Sequence, residues 1–174
     1  MEIDYGPRYQ LLQKHLGGND LLSLDDLSIV LKAHLILEIF LDEVLCSYYK
    51  NEKAKDMFEN LNITFLKKVE LIEKFNLLKM SGLRISQEES IKILRNINRL
   101  RNKFAHDLTS KLSNCDDILN HIFPHFEDSI TKIVTNKSHQ KEIHDLRRVK
   151  FGLCVASLGG MFDRIIDNPK MPKN

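Results

Sequence analysis

The sequence predicts an all-α fold, a compact bundle of about five main helices. Apolar residues recur at three- and four-residue spacing through long runs free of Gly and Pro, and no stretch alternates as a half-buried strand would. Composition agrees. The 174 residues are 43% hydrophobic and 29% charged, with seven Gly, four Pro and no Trp, the profile of a helix-rich chain large enough for one core.

A first helix is expected from about Arg8 to Leu16, stopped by Gly17-Gly18, a pair suited to the left-handed turn after a helix. Ser23 with Asp26 three residues later marks the start of the longest helix, which runs without Gly or Pro from Leu24 to about Tyr49. Its apolar residues, from Leu27 through Leu45, cover more than one face, so it should pack on several neighbours or carry an oligomer interface as well. A short polar helix could occupy Asn51 to Asn60. Phe65, Leu66, Val69, Ile72, Leu77 and Leu78 then give helical spacing from Ile63 to Lys79, ended by Ser81-Gly82. Ser86 and Glu89 form a capping-box pair, and Ile93, Ile97, Leu100 and Phe104 follow along one stripe to about His106. Cys115 to Thr135 reads as a helix broken or kinked near Pro124, which lacks an amide donor. The last helix should span Gln140 to about Ile166, with Gly159-Gly160 marking a close contact or a bend. One domain over residues 1–166 is expected, with residues 167–174 as a flexible tail.

The formal charge of +2, from 26 basic and 24 acidic residues, gives the whole chain no general attraction for nucleic acid or anionic membrane, so any basic surface must be local. Cys46, Cys115 and Cys154 are odd in number, widely spaced and without a CxxC pair, which argues against a disulfide framework and a structural zinc site. The N-terminal residues lack the pattern of a signal peptide. Ile29 to Leu45, the richest apolar stretch, holds Lys32, His34, Glu38, Asp42 and Glu43 and is too polar to span a bilayer. A cytoplasmic protein with no membrane association is expected.

The segment that carries chemistry runs from Arg95 to Leu108. At about 100° per residue, Ile93, Ile97, Leu100, Phe104 and Leu108 share the apolar arc, whereas Arg95, Arg99, Asn102 and His106 gather on the polar side. Arg101 falls inside the apolar arc. A guanidinium cannot shed its proton, so that position is costly unless Arg101 meets an anion, carbonyls or a partner chain. A plainer reading is also open: Arg101 reaches solvent along its aliphatic stem, and His106 closes the helix at the negative end of its dipole.

The phrase Arg101-Asn102-Lys103-Phe104-Ala105-His106 resembles the signature of the HEPN superfamily (higher eukaryotes and prokaryotes nucleotide-binding), an Arg followed after four to six residues by His, often with a polar residue next to the Arg. Arg101 and His106 match at four residues with Asn102 in the polar place; Arg99 matches at six and is the alternative. The wording Ile97-x-x-Leu100-Arg101-Asn102-Lys103-Phe104-Ala105-His106 looks most like the branch of mannitol-operon-repressor-like, toxin and defence proteins. The looser likeness covers the long helix, the Ile63 to Lys79 helix and the motif helix.

The resemblance implies a metal-independent endoribonuclease of a bacterial toxin–antitoxin or anti-phage defence system, with no cofactor. His106 would serve as general acid or base. Arg101 would neutralise charge on the phosphorane, and Asn102 would position a phosphate oxygen or the imidazole. The products would be a 2′,3′-cyclic phosphate and a 5′-hydroxyl. Arg101 and His106 lie about 140° apart on a straight helix, and the family solution is a homodimer whose two motifs line one cleft. Arg95, Arg99 and Lys103, doubled there, would hold RNA phosphates. A partner antitoxin or regulatory protein is expected on the same grounds. Where the family's toxins carry His-x-Tyr, this chain has His106-Asp107-Leu108, so regulation by modification of that tyrosine is not expected. The same resemblance carries a second expectation, a non-catalytic helical regulator or interaction module like the mannitol operon repressor.

Other features are weaker. His121 and His125, four apart with Cys115 and Asp117 upstream, have metal-like spacing that Pro124 interrupts, and no metal is expected. His34, four residues before Glu38, reads as a satisfied core or interface pair with Glu38 or a carbonyl. Arg147, Arg148 and Lys150 read as a solvated basic face.

Overall fold

The computed structural model describes residues 24–49, 63–78, 85–126 and 146–167. Within them the chain forms an all-helical bundle with no strand: α1 (Asp26–Tyr49), α2 (Phe65–Lys74), α3 (Gln87–His106), the single-turn α4 (Asp116–Leu119) and α5 (Leu146–Asp167). The Arg8–Leu16 and Asn51–Asn60 helices, the Ser81-Gly82 stop and the tail beyond Asp167 lie outside the described residues.

Helix α1 is central and packs on α5, α3 and α2. Ile29, Val30, Ala33, Leu37, Phe40, Leu41 and Leu45 are buried around it, which explains why its apolar residues need more than one face. Ser23, expected to mark its start, lies outside the described residues, and the helix begins at Asp26. The Asp25 carboxylate accepts the Ser28 amide at 2.6 Å, a capping contact for the first turn. Asp26 turns inward, where it is buried and accepts the Leu112 amide at 2.8 Å and the Arg148 Nε–H. One carboxylate thus ties the first turn of α1 to the loop before α4 and to α5.

Helix α2 is capped by the Thr64 hydroxyl, which accepts the Lys67 amide at 3.4 Å. It ends at Lys74, five residues before Lys79, because Asn76 takes a left-handed conformation at φ 54. Leu77 N–H reaches Ile72 O and Asn76 N–H reaches Glu73 O, both at 3.0 Å, the paired bonds of a Schellman turn. Gln87 then fastens this turn to α3: its amide donates to Asn76 Oδ1 at 3.0 Å and its oxygen accepts the Leu78 amide at 3.2 Å. Leu77 and Leu78 are buried from the turn rather than from a helix.

Helix α3 occupies the predicted span. Ser86 Oγ accepts the Glu89 amide at 3.2 Å and Glu89 Oε2 accepts the Ser86 amide at 2.8 Å, a complete capping box. Ile93, Ile97, Leu100 and Phe104 are fully buried; burying Phe104 alone contributes about 2–3 kcal/mol. Leu108, placed on that stripe by the wheel, is not part of it. The helix stops at His106, Asp107 is extended, and Leu108 is 74% exposed in the following turn.

The expected helix from Cys115 is interrupted earlier than Pro124. After α4 the chain turns at 120–122 and forms a 3-10 helix over Phe123–Phe126, since Pro124 has no amide to continue an α-helical ladder; residues 127–135 lie outside the described set. Residues 140–145 do as well. Gly159-Gly160 neither breaks α5 nor marks a tight contact at its second glycine, where an added Cβ meets nothing within 4 Å. Gly160→Ala should therefore raise stability by about 0.5–1 kcal/mol, measured by urea denaturation.

Among the described residues no helix is long and apolar enough to cross a membrane. No disulfide joins the cysteines among the described residues, and Cys115 and Cys154 are buried.

Candidate functional site

Arg101 leaves the core stripe of α3 and lines a cavity of about 410 Å³ between α1, α2 and α3, together with His34, Glu38, Thr64, Phe65, Leu66, Asn98 and Asn102. A second cavity of about 360 Å³ adjoins it through the shared residues Leu66, Asn98 and Asn102 and adds Glu70, Arg95 and Arg99. The two form one groove along the α2–α3 seam.

Helix phase produces this arrangement. Asn98, Arg101 and Asn102 lie three and four residues apart, so they share a face of α3. Across from them α2 presents its first turn, Thr64 to Leu66, whose amides point outward along the helix axis. The floor comes from α1. His34 is buried, lies 4.2 Å from the Phe65 ring centroid and has its Nε2 at 3.2 Å from Asn98 Oδ1. Glu38, the partner expected for His34, instead accepts from Lys68 Nζ at 3.0 Å, and Asp42 accepts from the same ammonium at 2.8 Å.

The charges follow from these contacts. Burial pushes the His34 imidazole below its ordinary 6.5; its contact with Asn98 and the Glu38 charge oppose this, while Arg101 and Lys68 add to it. His34 is therefore neutral near pH 7, and Nε2 donates to Asn98 Oδ1. Lys68 is only 7% exposed. Burial disfavours its charge, but the hydrogen bonds to Asp42 and Glu38 outweigh burial and raise its pKa above the ordinary lysine value. Arg101 donates from Nη1 to Asn102 Oδ1 at 3.1 Å and forms no ion pair among the described residues.

The buried neutral imidazole has a consequence for stability. Between 6.5 and its lowered value, the unfolded chain binds more protons at His34 than the folded chain, so stability is full above that window and falls as pH falls through it. A His34→Gln variant should lose less stability than the parent between about pH 7 and pH 5; parallel urea curves at the two pH values check this.

The other predicted residues are placed differently. His106 ends α3, is exposed and does not line the Arg101 cavity. The neighbouring Asp107 is turned to its own loop, accepting from the Thr109 amide, the Thr109 hydroxyl and the Ser110 hydroxyl; these bonds, led by the Thr109 hydroxyl, hold its pKa below the usual carboxylate value. Arg95 and Arg99 line the second cavity but reach Glu73 at 2.6 Å and Asp117 at 3.2 Å. Lys103 donates to Asn114 O at 2.8 Å and lies 3.8 Å from Asp117. These ion pairs are exposed, so each is worth under about 1 kcal/mol and a phosphate could displace it.

The basic run on α5 is not an open face. Arg147 pairs with Asp116 at 3.2 Å, Arg148 with Asp26, and Lys150 sits 5.9 Å from the Phe123 ring centre. His125 faces Glu89 at 3.6 Å, whereas His121 is exposed in the turn before the 3-10 helix. Among the described residues no three His, Cys, Asp or Glu side chains converge as metal ligands would.

The chain matches no family model, no curated protein and no solved structure.

Proposed function

We propose that the protein is a metal-independent endoribonuclease of the HEPN type, acting as a homodimer, with RNA held in the groove at Arg101 and Asn102. The observation that carries this reading is Arg101 itself: a permanent cation, half-buried in the wall of a cavity, with a neutral amide as its hydrogen-bond partner. Such a guanidinium is available to a phosphate without first breaking an ion pair.

The chemistry needs only groups in the chain and its RNA. The ribose 2′-oxygen attacks the adjacent phosphorus, its proton passes to a base, and the P–O5′ bond breaks as the 5′-oxygen takes a proton, leaving a 2′,3′-cyclic phosphate and a 5′-hydroxyl. His106 would take the proton-transfer role, since an imidazole can both accept and donate a proton. Because His106 lies outside the cavity of its own chain, the reading requires a second copy to bring the two groups together. Leu35 and Ile39, one turn apart on α1 and 59% and 47% exposed, give that copy an apolar face beside the residues that line the cavity.

The same displacement of His106 favours a second reading, a non-catalytic helical regulator resembling the mannitol operon repressor, in which the groove binds without cutting. The biological setting proposed for the first is toxin–antitoxin or anti-phage defence, with an antitoxin as partner. Incubating the purified chain with single-stranded RNA and excess chelator separates the two. Cleavage with cyclic-phosphate ends supports the nuclease; intact RNA under conditions where the protein is a dimer contradicts it.

A further inference from the structure

The Arg101 cavity contains more than the motif that leads to it. Asn98 and His34 stand outside that motif, come from different helices and are 9% and 7% exposed. Their contact decides which polar atoms remain for a ligand. Asn98 Oδ1 is occupied by His34 Nε2–H at 3.2 Å and Asn102 Oδ1 by Arg101 Nη1–H at 3.1 Å. Each amide oxygen has therefore given one of its two acceptor positions to a neighbour in the wall, and each amide keeps an NH₂ group with two donors. The remaining N–H groups of Arg101 are donors as well. Glu38, the carboxylate on the wall, is held at 3.0 Å by Lys68, an ammonium that it shares with Asp42 at 2.8 Å.

We propose that this cavity is an oxyanion site for a phosphate ester, in which Asn98 and Asn102 contact the phosphate beside Arg101 and His34 acts as a positioning residue that fixes the orientation of Asn98. A guanidinium flanked by two amide NH₂ groups is a donor-rich cluster that suits a ligand rich in acceptors. A ligand offering only donors would leave those amide hydrogens without acceptors. The cavity, at about 410 Å³, falls in the size range of small-molecule sites and has room for an organic group attached to the phosphate, against Phe65. The inference shares Arg101 with the nuclease reading but rests on the donor set, so the two can fail separately.

The test is calorimetric titration with three probes that are not cut: inorganic phosphate, adenosine 5′-monophosphate, and a trinucleotide lacking 2′-hydroxyls. Saturable binding of the monophosphate above the trinucleotide assigns the site to a free nucleotide; the reverse order assigns it to a nucleic-acid backbone. Asn98→Asp keeps the oxygen that receives the His34 proton and turns the NH₂ donor into an acceptor. It should weaken the better probe at least tenfold, as should Asn102→Asp, which lies nearer the surface and carries the test if the first variant does not fold. His34→Ala should weaken binding, and His34→Gln, which can still donate to Asn98, should restore part of it. Three outcomes overturn the proposal: no probe binds, both aspartate variants bind like the parent, or His34→Gln binds no better than His34→Ala. Cleavage of RNA with no binding of any probe would sink this inference alone; tight binding with no cleavage would sink the nuclease reading alone.

Discussion

Arg101→Ala should reduce RNA cleavage by about 10²–10³-fold, the usual effect of removing one donor to a developing oxyanion, while changing folding stability by less than about 1 kcal/mol. The two effects separate because, among the described residues, Arg101 makes one hydrogen bond, to its neighbour Asn102, and is half-buried on a cavity wall. Arg101→Lys keeps the charge but loses the planar fork, so it should recover only part of the activity. Single-turnover cleavage rates and urea denaturation of the same preparations check both halves. If Arg101 merely reached solvent along its stem, the alanine variant would cut RNA at the parent rate.

The second large effect concerns Lys68. Lys68→Met removes the cation that bridges Glu38 and Asp42 and leaves two carboxylates facing each other across its former position. Breaking a fully buried pair costs about 3–5 kcal/mol. Here the two carboxylate side chains are 28% and 40% exposed and can partly rehydrate, so about 2–3 kcal/mol is expected. A second readout follows from position. Glu38 lines the Arg101 cavity, and without Lys68 its charge opposes any phosphate there. Lys68→Met should therefore weaken RNA binding even at temperatures where the variant is folded. The double variant Lys68→Met with Glu38→Gln should regain part of the affinity.

Much of the fold could be read from local signals. Ser86 and Glu89 set the start of α3, and the Ile93 to Phe104 stripe sets its buried face, because capping and periodicity act within a few residues. Asn76 was a readable stop for α2, but Leu77 and Leu78 continued the helical spacing and concealed it. Leu108 was misplaced because the wheel extends a helix past the point where Asp107 ends it through its own loop contacts. The basic run on α5 misled for a different reason: Arg147 and Arg148 meet Asp116 and Asp26 across the bundle, and nothing in a run of like charges names its distant partners.

The candidate site was legible in part. Arg101 was conspicuous as a cation in an apolar arc, and Asn102 beside it belonged to the same phrase. Asn98 carries no comparable signal, since an amide one turn earlier looks ordinary until His34, 64 residues away, is brought to it. Lys68 had a signal: it shares the helical phase of Phe65, Val69 and Ile72, and Glu38 and Asp42 stand four apart on the apolar α1. A lysine at a core position and a spaced acidic pair on another helix are complementary.

A phosphate seated at Arg101 is central to the proposed function. A crystal structure of the chain with a short RNA lacking the attacking 2′-hydroxyl tests it most directly. The expected result is a backbone phosphate within about 3 Å of the Arg101 guanidinium and the Asn98 amide nitrogen, with a second copy of the chain closing the groove. RNA bound elsewhere, with the cavity holding only solvent, would contradict it.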